Sequence, residues 1–143
     1  MSILFSTRTE RMLIATMLEY PHLLSYGLPK LEPQQFGNEA VREIFERMIA
    51  LTTNGKTLPS ARVMGQDPGL SKAASNILLM EARERHQIAG SCKADIDAAI
   101  DILEHYRHIR IIYESTKRTT EELEDPKVSI EKIQTRIQDD LTQ

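Results

Sequence analysis

Between Lys93 and Glu124 there is neither a glycine nor a proline. In a helix interior these residues are less favourable than alanine by about 1 and about 3 kcal/mol, so a long stretch without them reads as one helix. Its later part places Ile102, Tyr106, Ile109, Tyr113, Thr116, Thr120 and Leu123 at alternating steps of four and three, the spacing of a helix-on-helix seam. Asp125-Pro126-Lys127 reads as a turn, and from about Ser129 a second helix repeats the pattern with Ile130, Ile133, Ile137 and Leu141. The two form a helical hairpin whose seams are expected to face each other. Each arm is polar apart from a narrow apolar stripe, too little for a core of its own. Such a hairpin needs a partner, either a second copy or the globule that precedes it.

That globule is helical as well, because its apolar residues recur at three or four and nowhere alternate cleanly at two. The first helix carries Met12, Leu13 and Leu18 on a stripe with Ile14 and Met17 beside it; Thr7 or Thr9 can cap it, and Pro21 ends it. Pro21 to Gly27 reads as a short helix, and Pro29 and Pro33 mark a loop. Asn38 suits an N-cap with Glu39 next to it, and Val41, Ile44, Phe45, Met48, Ile49 and Leu51 then share a face until Asn54-Gly55 stops the helix. Ser60 caps a short helix through Met64, Gly65 to Gly69 is a loop, and Ser71 to His86 is a helix with Ile77, Leu78 and Leu79 inward. Ala89-Gly90-Ser91 breaks it. The expectation is an all-α chain, with a multi-helix head over residues 1–100 and a hairpin over 101–143 that share the long helix.

Little in this chain points to chemistry. Ala50-Leu51-Thr52-Thr53-Asn54-Gly55-Lys56-Thr57 satisfies the loosest phosphate-loop pattern, with alanine for the first glycine. A phosphate loop follows a strand and opens a helix, whereas here a helix precedes the motif and Pro59 follows it. His105 and His108 share a helix face but lack further ligands at metal spacing. No catalytic residue, cofactor site or metal site is expected. A net charge of -3 and a pI near 5.8 give no bulk attraction to phosphate. The basic groups Arg83-Arg85-His86 and Lys117-Arg118 are diluted by Glu81, Glu84, Glu121 and Glu122, so any DNA contact is expected to be weak or indirect. The single Cys92 fits a reducing compartment, and no apolar run approaches the ~20 residues of a membrane span, so a cytoplasmic location is expected.

Three stretches resemble one family. Glu10-Arg11-Met12-Leu13-Ile14-Ala15-Thr16-Met17-Leu18 is similar to the opening Glu-x-x-Leu-Leu-Gly-x-x-Leu of the N-terminal domain of DnaB-type replicative DNA helicases. Leu31-Glu32-Pro33-Gln34-Gln35-Phe36 followed by Ile44-Phe45, with a stop at Gly55-Lys56, is similar to that family's Pro-x-Asp-Phe turn and the helix it leads into. Ile102 to Arg110 resembles the arginine-bearing long helix that enters the family's hairpin. The likeness runs from about Thr9 to the C-terminus. The chain departs from the pattern at Ala15, Gln35, Val41 and Pro59, which suggests a divergent bacterial or phage member.

The resemblance implies a domain that forms a collar on a helicase ring and recruits primase or a helicase loader in the primosome, while the ATPase domain of such helicases is absent from this chain. It makes Glu10, Leu13, Leu18, Phe36, Ile44, Phe45 and Arg110 the family-motif core. It also implies self-association through the hairpin, by Ile109, Ile112, Tyr113, Thr116, Leu123, Ile130, Ile133, Ile137 and Leu141, as a dimer and, in the full protein, a hexameric ring. Two alternatives share the layout: the C-terminal helicase-binding domain of primase, and a stand-alone loader or inhibitor. The helicase is preferred because the Glu10 helix opens directly after an ordinary Met1-Ser2 terminus.

Overall fold

The computed structural model describes residues 4–84 and 92–142, the side chains of 82–84 excepted. Among the described residues there are seven α-helices, two short 3-10 turns and no strand: α1 Thr7–Glu19, α2 Pro21–Gly27, the turns Leu28–Lys30 and Pro33–Gln35, α3 Glu39–Thr53, α4 Ala61–Met64, α5 Lys72–Glu84, α6 Lys93–Leu123 and α7 Ile130–Leu141. The all-α reading holds, with the head and hairpin elements in the expected order.

The helix ends follow local chemistry. Ser6, rather than Thr7 or Thr9, caps α1 by accepting the Thr9 N–H at 3.3 Å. Asn38 caps α3 as expected, its side-chain oxygen accepting the N–H groups of Ala40 and Val41 at 2.9 and 3.2 Å. Gly55 stops the chain after α3 with φ at 72°, a conformation that glycine adopts without strain. Ser60 and Ser129 cap α4 and α7. The expected break at Ala89-Gly90-Ser91 lies outside the described residues.

The head core takes Leu13, Ile14 and Met17 from α1, Phe36 from the loop, and Val41, Ile44, Phe45 and Met48 from α3. Met64, Ala74 and Leu78 add one side, and Ile96, Ala99 and Leu103 of α6 close another. Met17 rather than Leu18 is the fully buried residue at the end of α1; Leu18 packs half-buried on the rim. In α5 the inward residue is Leu78, with Ile77 and Leu79 only partly covered. A second difference is electrostatic. Glu81, expected on a solvated face, is buried and pairs with Arg11 of α1 at 2.5 Å.

The hairpin differs most from expectation. The predicted seam does not close it. Tyr113, Thr116, Leu123, Ile130 and Leu141 are exposed, and the α6 residue buried against α7 is Ser115. The arms are stitched by Arg136 of α7, which donates to Ser115 Oγ at 3.4 Å, Thr119 Oγ1 at 2.7 Å and Glu122 at 3.2 Å, and pairs with Asp140 at 2.9 Å. Ile133 is the one buried apolar residue of α7. A repeat of three and four shows which residues share a face, but not which face meets the other arm.

Candidate interaction site

Two places in the molecule collect the residues singled out by sequence. The first lies where α6 leaves the head. The Glu10 carboxylate is buried and accepts the backbone N–H groups of Gly37 and Asn38 at 3.1 and 3.0 Å. Removal from water raises its pKa above the usual carboxylate value; those two N–H groups and the charges of Arg110 and Arg42 pull the other way. On the same loop, Arg110 of α6 donates through Nη1 to the Leu4 carbonyl at 2.9 Å and through Nη2 to the carbonyls of Gln34 and Gln35 at 2.8 and 3.2 Å. Arg42 donates to the Phe36 carbonyl at 3.0 Å.

Three expected residues, Glu10, Phe36 and Arg110, therefore converge on residues 34–38, while Leu13, Ile44 and Phe45 form the apolar floor. Gly37 makes the approach possible, since a Cβ there would lie 2.6 Å from Arg110 Nη1 and closer still to Phe5. Gln35, at first sight only a departure from the family pattern, is buried: its amide donates to Glu104 of α6 at 2.6 Å and its oxygen accepts the Glu32 N–H at 2.7 Å. The contributions of Arg42, Gln35 and Glu104 carry no periodic signal in the sequence.

The second place is the hairpin. Ile112, Ser115, Thr116, Thr119 and Thr120 of α6 and Ile137 and Leu141 of α7 line an open groove of about 200 Å³ between the arms. Ile112, Tyr113, Leu123, Ile130 and Leu141 are all exposed. Ile109 is half-buried, and Ile133 faces inward, so Ile133 supports the hairpin rather than its outer surface. Exposed aliphatic and tyrosine side chains along both arms make an apolar surface of the kind that marks an interaction site.

Other candidates are placed plainly. The Ala50–Thr57 segment is the end of α3 running into the Gly55 stop, with Lys56 and Thr57 exposed. His108 lies 3.9 Å from Glu104, and the His105 ring stacks edgewise on Tyr106. Arg118 pairs with Glu122 at 3.0 Å beside an exposed Lys117. Arg85, His86 and the side chain of Arg83 lie outside the described residues. Among the described residues no helix is long and apolar enough to cross a membrane.

Compared with known proteins, the chain matches no curated protein. A family model does match, and its reach ends at the close of α4, so α5, the long α6 and α7 lie beyond it, as does any ATPase domain. Residues 3–65, which hold Glu10, the 34–38 loop and α3, match the model described as DnaB-like helicase N terminal domain, and over that stretch the chain is similar to this family.

Proposed function

We propose that this chain is the N-terminal interaction and oligomerisation domain of a replicative DNA helicase, acting in the cytoplasm of a bacterium or on behalf of a phage. In this reading the chain itself catalyses nothing. Its hairpins pair to build a collar, and the assembled heads receive primase or a helicase loader during DNA replication. The observation that carries the reading is the joining of a DnaB-like head, matched over residues 3–65, to a hairpin that exposes Ile112, Tyr113, Leu123, Ile130 and Leu141. Burial of such a surface contributes ~25 cal/mol per Å² before the losses of association are subtracted, and a self-complementary patch most often closes as a two-fold dimer.

The test is direct. Light scattering of the purified chain is expected to show a dimer at ~tens of micromolar, a range typical of a modest interface. Ile112→Asp is expected to halve the mass while the circular dichroism stays helical, because a charge on an apolar contact surface is poorly tolerated. A monomer at high concentration would overturn the pairing. For the recruitment role, titration with the purified primase or loader of the same replication system is read by sedimentation velocity; absence of a complex with either removes that part of the proposal.

A further inference from the structure

The 31-residue α6 belongs to head and hairpin at once, and its attachment to the head changes character along its length. Ile96, Ala99 and Leu103 sit in the apolar core, but Leu103 is the last α6 residue to do so. The next buried α6 position, Ser115, faces Arg136 of α7. In the turns between, the head is held through polar groups: Gln35 on Glu104 at 2.6 Å, Arg107 near Glu32 at 3.7 Å, and Arg110 on three backbone carbonyls.

These contacts differ in strength. Glu32 is 65% exposed, and an ion pair in that setting contributes little. The Arg110 bonds carry a full charge on the donor, come from a rigid planar fork and point at carbonyls that belong to two separate chain segments. One guanidinium thereby ties the N-terminal segment at Leu4, the loop at 34–35 and the long helix. Buried Glu10 holds the far side of the same loop by its N–H groups, so the loop is gripped from both faces by opposite charges.

We propose that Arg110 is a latch that sets the angle of the hairpin arm to the head, and that an event which displaces residues 4–5 or 34–35 frees the arm to swing. The inference stands on this geometry alone and does not require the helicase reading. It makes the loop and the N-terminal segment the place where a bound partner would act on the orientation of the hairpin.

The experiment places spin labels at Lys56→Cys on the head and Asp125→Cys at the hairpin tip, in a Cys92→Ser background. Doubly labelled chain is diluted into unlabelled chain so that only distances within one molecule are read. The chain with Arg110 is expected to give one narrow distance peak. Arg110→Ala is expected to lose it to a broad or split distribution while the head keeps its near-ultraviolet spectrum, and Arg110→Lys, which cannot fork onto three carbonyls, to lie between. Should Arg110→Ala fail to fold, Arg110→Lys is read in the same way, and loss of the narrow peak there supports the latch. A narrow peak retained in every folded variant, or a broad one already present with Arg110 in place, overturns it.

Discussion

Phe45 lies against Phe36 with ring centroids 4.8 Å apart, both rings wholly buried, so the α3 face and the loop before it share one contact. Truncating a buried phenylalanine to alanine destabilises a domain by about 3–5 kcal/mol through lost transfer energy and a residual cavity. Phe45→Ala is therefore expected to lower the urea midpoint sharply; a midpoint near that of the parent chain would mean the α3 face is misassigned. Glu10 makes a subtler prediction. Its folded pKa is raised above 4.5, so between 4.5 and that raised value the folded state holds a proton that the unfolded state has released. That contribution is complete below 4.5 and is lost as pH climbs through the raised folded value. Glu10→Gln does not titrate, and its amide N–H₂ faces a backbone N–H where a carboxylate oxygen stood, at a loss of about 1–3 kcal/mol. The stability gap between parent and variant is expected to narrow as pH rises from 4.5 towards neutrality, measured by urea unfolding at each pH. A gap that widens contradicts the burial argument.

At the scale of elements, the helices were legible because glycine, proline and capping residues punctuate them locally. The uninterrupted run behind α6 and the Asn38 cap of α3 needed no tertiary information. The packing of α7 on α6 was not legible. Ser115, Thr119 and Arg136 look like surface residues in any hydropathy pattern, yet with Ile133 they make the inner face of the hairpin, while Tyr113, Leu123, Ile130 and Leu141 of the apolar repeat are exposed. Glu10 and Arg110 were singled out by resemblance and not by periodicity, since a buried carboxylate and an arginine on a distant helix leave no local trace in either segment. The hairpin itself gives a prediction at this scale. Arg136→Ala removes the donor to Ser115 and Thr119 and leaves Glu122 without that partner. A buried polar network that loses its hub destabilises locally by about 1–3 kcal/mol. Amide hydrogen exchange is expected to quicken through α7 and the distal half of α6 but not in α3; unchanged protection in α7 would show that Ile133 alone holds the arm.

For the whole molecule, the organisation argues against reading the phosphate-loop-like string as a nucleotide site. Ala50 to Thr57 ends a helix instead of opening one, so its N–H groups are already committed at the start of the segment. Calorimetry with ATP is expected to show no micromolar binding, and none that depends on Lys56; heat that vanishes in Lys56→Ala would reverse this reading. The head and the arm have different internal economies, one sealed by apolar contact and the other by hydrogen bonds and charge. That second arrangement has a kinetic consequence. Because Arg136, Thr119 and Glu122 already close the hairpin, its outward apolar face exists in the single chain and does not have to be assembled from an unfolded arm. The proposed pairing of two arms would then be a collision of finished surfaces, limited by encounter and orientation at about 10⁵–10⁷ M⁻¹s⁻¹ and free of a slow concentration-independent phase. If the proposed dimer forms, its rapid dilution should accordingly return helical monomers, ready to reassociate at once.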